Sequence, residues 1–152
     1  MSIAGIGTDI VEIARMQAAL ERHGARFGER ILNAAELAAW ERRDRSASFL
    51  AKRFAAKEAA VKALGCGFRN GVRFRDVEVA SDALGKPELI LHGAALERMQ
   101  VLGATASALS ISDERLTRLP LWCCIAPEAL SKRSRFYETA ANRHFRKPRS
   151  AW

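Results

Sequence analysis

The 152-residue sequence has only three cysteines, Cys66, Cys123 and Cys124, and no Cys-x-x-Cys pair. Adjacent cysteines rarely bridge one another, so the pattern argues against a disulfide framework and a thiolate zinc site and for a reducing, cytoplasmic setting. His23, His92 and His144 are scattered and form no ligand cluster. There is no run of 18 apolar residues, so no membrane span is expected. The N-terminal "MSIAGIGTDIVEIARM" lacks the basic start and apolar stretch of a signal peptide and reads as mature structure. No repeat or linker is visible before residue 115. What is present is a 49% hydrophobic chain, long enough for one domain with a sizeable core.

The net charge of +8 is unevenly placed. Residues 116–152 hold eight Lys/Arg and two Asp/Glu, a net +6, and the other 115 residues contribute +2. A nucleic-acid reading based on the basic pI would therefore rest on the tail, and no nucleic-acid motif appears in the body. A basic adaptor that binds nucleic acid through its tail is the alternative class of function.

Alternation and turn signals place a strand over residues 2–11, ending near Thr8-Asp9, and a helix from about Ile10 to His23. Ile13, Met16 and Leu20 share one face of that helix, and Arg15 and Arg22 lie on the opposite one. Gly24 and Gly28 punctuate. "NAAELAAWERR" begins a helix with Asn33 and Glu36 at capping-box spacing. "DRSAS" leads into a long helix with Ser46 or Ser48 as N-cap, which ends on Gly65. "VRFRDVEVA" reads as a strand whose phase changes between Phe74 and Val77, the signature of a bulge. "SDALGKP" is a turn, "PELILHG" a strand, "GAALERMQVLG" a short helix and "TASALSIS" a strand with Leu109 and Ile111 on one side. The order β-α-α-α-β-β-α-β predicts an α+β domain, residues 1–115, with antiparallel pairing. From Leu116 the pattern is lost and Pro120 breaks any further strand, so 116–152 reads as an atypical, loosely ordered basic tail with one short helix at most.

The chemistry-bearing residues cluster in "KRFAAKEAAVKALG". On a wheel of about 100° per residue, Phe54, Val61 and Leu64 fall within roughly 40° of Leu50. Lys57 lies in the middle of this apolar stripe, with Glu58 and Lys62 on its edge. A buried ammonium costs several kcal/mol unless an anion meets it, although a lysine that snorkels would avoid that cost. Asp9 sits at a strand end beside small glycines. Carboxylates from two elements, Asp9 and Glu58, can share a Mg²⁺ that keeps several waters and takes its other ligands from substrate phosphates. With Arg53, Lys57 and Lys62 they have the composition of a site for a metal-bound pyrophosphate. The plain alternative is that Glu58 and Lys62 are an ordinary i,i+4 surface pair. The loop "GCGFRNG" either lets backbone approach a phosphate or simply turns the chain. Arg15, Arg22 and Arg26 form either a dock for an acidic partner or a solvated face.

"GIGTDIVEIARM", followed some forty residues later by "FLAKRFAAKEAAVKALGCGFRNGVRF", resembles the holo-[acyl-carrier-protein] synthase family, the small bacterial 4′-phosphopantetheinyl transferases. The paired signatures are G-x-D-x(5)-R, here Gly7 through Arg15, and F-x-x-K-E-A-x-x-K-A, here Phe54 through Ala63; "GKPEL" and "ALSISDER" add to the likeness, which covers residues 1–115. The resemblance implies a 4′-phosphopantetheinyl transferase-like fold, helices on a small, mainly antiparallel sheet. It also implies transfer of 4′-phosphopantetheine from coenzyme A to a serine of apo-acyl carrier protein in fatty acid biosynthesis, releasing adenosine 3′,5′-bisphosphate. Carried over by motif, Asp9 and Glu58 are the Mg²⁺ ligands. Glu58 and Lys62 are catalytic, and Arg53, Lys57, Lys62 and Gly65 face coenzyme A, with Lys57 buried beside the metal site. The base is either Glu58 or a metal-bound water that it orients. Arg15, Arg22 and Arg26 dock the acidic carrier protein. The family implies a homotrimer with sites at subunit interfaces, and the subunit origin of Asp9 and Glu58 stays open. The departure is the C-terminus, where an Ala/Val-rich closing strand is expected and "LTRLPLWCCIAPEAL" stands instead. Either a shifted reading frame or an unusual extension would account for it, and a missing strand would compromise core closure and activity.

Overall fold

The computed structural model describes residues 3–112 and the strand Leu119–Ala126. Strand β1 (Gly5–Val11) is followed by four helices, α1 (Ile13–His23), α2 (Ala25–Ile31), α3 (Ala34–Glu41) and α4 (Ala47–Ala63). A 3-10 turn (Phe74–Asp76) leads into the hairpin β2 (Val77–Ser81) and β3 (Pro87–Leu91), then α5 (Gly93–Val101), β4 (Ala106–Ile111) and β5 (Leu119–Ala126). Among the described residues all pairing is antiparallel, in a three-stranded sheet of order β1-β5-β4 and the separate β2-β3 hairpin. This is the α+β architecture expected.

The molecule is built around α4. Ser46 caps its N-terminus by accepting from the Phe49 N–H. Leu50, Ala51, Ala56, Ala59, Ala60, Val61 and Leu64 are fully buried along it. The alanines have a purpose, because β1 lies directly on this helix. A Cβ built on Gly5 would collide with the Ala63 carbonyl oxygen, and one on Gly7 with that of Ala59. With no side chains at these positions, backbone meets backbone. Strand alternation then turns Gly5, Gly7, Asp9 and Val11 toward the helix and leaves Ile6, Thr8 and Ile10 exposed on the outer face.

Four expectations are corrected. The first helix starts at Ile13 rather than Ile10, because β1 continues to Val11. Gly28 lies inside a helix, α2, rather than between helices, and it is glycine because the Trp40 ring occupies the space where a side chain would be, 2.5 Å from the Cβ position. The phase change before Val77 is a 3-10 turn and not a bulge. The chain beyond residue 116 does supply a closing strand, which pairs with both β1 and β4. Pro120 is tolerated because it pairs only with Ile10 on β1, and the β4 register begins one residue later, at Leu121. A proline at the end of a strand, free of one neighbour, loses little. The short helix expected in the tail lies outside the described residues.

Candidate active site

Asp9 reaches the site as the third helix-facing residue of β1. Its Oδ1 accepts from Lys62 Nζ at 2.7 Å, and the same ammonium donates to the Thr8 carbonyl at 3.0 Å. Lys62 remains half exposed while Asp9 is largely covered. Glu58, one turn before Lys62 on α4, is partly buried beside them. Burial first, and then the Asp9 charge, push its carboxyl up; the Lys62 ammonium opposes this. Two carboxylates and an ammonium from positions 9, 58 and 62 thus converge where β1 crosses α4. The Glu58–Lys62 spacing is therefore more than an isolated surface pair.

This donor set fits a hard divalent cation. Among the described residues no group of three or more acidic, histidine or cysteine side chains could hold a metal. Asp9 and Glu58 would supply two oxygens and leave the remaining positions to water and substrate phosphate, the arrangement Mg²⁺ favours.

Lys57 is not part of this cluster. It was expected beside the metal site, facing coenzyme A, but it is completely buried, and all three ammonium protons are used. They go to Glu36 Oε2 at 2.6 Å, the Ile31 carbonyl at 2.7 Å and the Phe74 carbonyl at 2.9 Å. The anion that its place on the apolar stripe demanded is Glu36, itself only 3% exposed. Burial pulls the Lys57 ammonium down, and the Glu36 charge and hydrogen bond push back. The sequence showed Glu36 only as the capping-box residue, which it also is, with Asn33 Oδ1 accepting from its N–H and its Oε2 accepting from the Asn33 N–H, both at 2.9 Å.

Arg53 lies one turn before Lys57, its guanidinium 4.4 Å from the Phe49 ring centroid. At about 100° per residue it is on the opposite side of α4 from Lys62. Gly65, at φ 67°, follows the end of α4. It lines a cavity of about 330 Å³ with Cys66, Asn70, Val72 and Arg98. Arg98, which sequence reasoning missed, donates from Nε to the Leu64 carbonyl at 3.0 Å. Its position on a short amphipathic helix gave no signal of this. Arg15, Arg22 and Arg26 are all exposed on α1 and α2.

An acidic pair and a lysine, held where a strand crosses a helix in a small α+β domain, make a donor set suited to phosphate-bearing substrates. Comparison with known proteins gives that class a family. The profile of the 4′-phosphopantetheinyl transferase superfamily matches residues 5–114. The holo-[acyl-carrier-protein] synthase of Halorhodospira halophila is 58% identical over 113 residues, 74% of this chain and 90% of that protein. The crystal structure of the Neisseria meningitidis synthase superposes with a TM-score of 0.73 at 42% identity, covering 81% of this chain and 98% of that one. The Helicobacter pylori synthase in complex with coenzyme A gives 0.69 at 28% identity, covering 80% and 99%. The chain belongs to the 4′-phosphopantetheinyl transferase superfamily and, within it, to the holo-[acyl-carrier-protein] synthases.

Proposed function

We propose that this protein transfers 4′-phosphopantetheine from coenzyme A to a serine of apo-acyl carrier protein in fatty acid biosynthesis, with Asp9, Glu58 and Lys62 as its reacting centre. The observation that carries the site assignment is the convergence of Asp9 and Lys62, at 2.7 Å, beside Glu58. The serine oxygen bonds to the β-phosphorus of the coenzyme A pyrophosphate, and the bond from that phosphorus to the bridging oxygen breaks. Adenosine 3′,5′-bisphosphate leaves. Glu58 accepts the serine proton, directly or through one water, and its burial suits it to that work. Lys62, anchored on Asp9 and half exposed, offers its ammonium to the charge that gathers on the phosphate oxygens. Mg²⁺, held by Asp9 and Glu58, would neutralise the pyrophosphate. Gly65 leaves the backbone after α4 open to the coenzyme, and Arg53, on the far side of α4 from Lys62, would offer a second cation to a coenzyme bound between subunits. Arg15, Arg22 and Arg26 form an exposed basic face for an acidic carrier protein.

The proposed catalytic unit is residues 1–115 together with the strand Leu119–Ala126 that closes its sheet. The homotrimer that the family likeness implies has a candidate contact surface in Ile6 and Ile10, 53% and 57% exposed on the outer face of β1, since exposed apolar patches mark interfaces. Among the described residues no helix is long and apolar enough to cross a membrane. Cys66 is a free thiol, which agrees with a cytoplasmic location.

The test is transfer of label from pantetheine-labelled coenzyme A to apo-acyl carrier protein with Mg²⁺. Wild-type protein should label the carrier, and chelation should stop it until Mg²⁺ is restored. Glu58→Ala should lower the rate by about 100-fold or more. A Glu58→Ala variant that transfers at the wild-type rate would remove Glu58 from the reacting centre.

A further inference from the structure

Glu36 serves more than the helix it caps. Its Oε2 accepts from Asn33 N and Lys57 Nζ, and its Oε1 accepts from the Val79 N–H at 2.9 Å. Lys57 in turn holds the carbonyls of Ile31 and Phe74. One buried ion pair therefore ties together the end of α2, the start of α3, the middle of α4, the 3-10 turn and β2. Nothing in the transfer chemistry uses it.

Its nearest consequence is Arg53, one helical turn from Lys57. The Arg53 Nε is buried and has no hydrogen-bond partner. Its guanidinium rests on Phe49, which lies a further turn back, and makes no hydrogen bond among the described residues. Burial acts against its charge, and the Glu36 carboxylate is the main influence restoring it, while Arg43 acts against it. Glu36 has committed both oxygens elsewhere, so it balances Arg53 without bonding it. With Nε enclosed, the two amino nitrogens of this charged fork are the donors left for an anion, held in place before it arrives.

We propose that Glu36 is a positioning residue: its buried pair with Lys57 fixes the turn of α4 that carries Arg53, so that the Arg53 guanidinium stays on Phe49 and presents its donors to an anionic group of coenzyme A. This rests on the reading of Arg53 as a coenzyme A contact. Glu36 itself touches no substrate.

Steady-state kinetics on the full chain test it. Glu36→Gln keeps the size of the side chain and removes its charge. The KM for coenzyme A should rise about tenfold while the KM for the carrier protein stays within about twofold, with Arg53→Gln showing the same split. The double variant Glu36→Gln/Arg53→Gln should be no worse than Arg53→Gln alone, because the two act as one unit. A purely structural Glu36 would lower activity in step with the folded fraction and leave both KM values alone, and that result overturns the proposal. If Glu36→Gln does not fold, Glu36→Met/Lys57→Met removes both charges without stranding a buried ion, and the same split is expected of it. If Arg53→Gln leaves the KM for coenzyme A at its wild-type value, the reading of Arg53 fails and the inference falls with it. If Arg53→Gln raises that KM and the Glu36 variants do not, the inference alone fails.

Discussion

Asp9 can meet Lys62 because no side chain stands at Gly7, two residues earlier on the same face of β1. A Cβ there would overlap the Ala59 carbonyl oxygen and come within 2.6 Å of the Ala63 backbone nitrogen. Neither atom can rotate away, so the strand itself must move. Gly7→Ala should cost about 3 kcal/mol or more, the upper end of overpacking penalties, and urea unfolding would measure it. Transfer activity should fall further than the folded fraction does, because the displaced strand carries Asp9 with it. Equal losses would show that the strand relaxes without moving the carboxylate. At this scale the sequence was legible where spacing alone placed a group: Asp9 on the first strand, though inside it rather than at its end, and Glu58 and Lys62 on one helix edge. It was illegible for Lys57, whose need for an anion could be inferred but not its partner. Glu36 is 21 residues away, and the capping box already explained it.

At the scale of elements, α3 shows how a local signal and a tertiary one share a residue. Its capping box was readable from Asn33 and Glu36, and its N–H groups are satisfied as expected. Asn33→Ala removes the acceptor for the Glu36 N–H but leaves the Glu36 carboxylate with Lys57 and Val79. The loss should stay near 1 kcal/mol, the ordinary value of a cap, seen as a lower urea midpoint with the KM for coenzyme A unchanged. A several-fold rise in that KM would mean that the cap, and not the ion pair, sets the position of α4. Helices α1, α3, α4 and α5 and the β2-β3 hairpin were legible because their caps, turns and periodicity are local. Helix α2 was not. Its Gly28 signals a break in isolation, and only the Trp40 ring packed over it makes glycine the fitting residue there.

On the scale of the whole molecule, β5 is where local reading failed most. It supplies the central strand of its sheet, yet its pairing with Gly5–Val11 joins positions more than a hundred residues apart. No periodicity within the strand records such a pairing, and Pro120 argued against it. With β5 in place, the sheet has a helix-facing side holding Asp9 and an outer side where Ile6 and Ile10 stand exposed. That outer side is the feature best suited to association between copies of the chain. Ile6→Lys together with Ile10→Lys leaves the helix-facing side untouched, so each subunit should stay folded. Light scattering after size exclusion should find the wild type as a trimer and the double variant as a monomer at micromolar concentration. Coenzyme A binding by that monomer, measured by calorimetry, then decides where the site lies: undiminished affinity would confine it to one subunit, and a loss would place it across the interface. A wild-type monomer would refute the trimer and leave the two isoleucines as incidental surface.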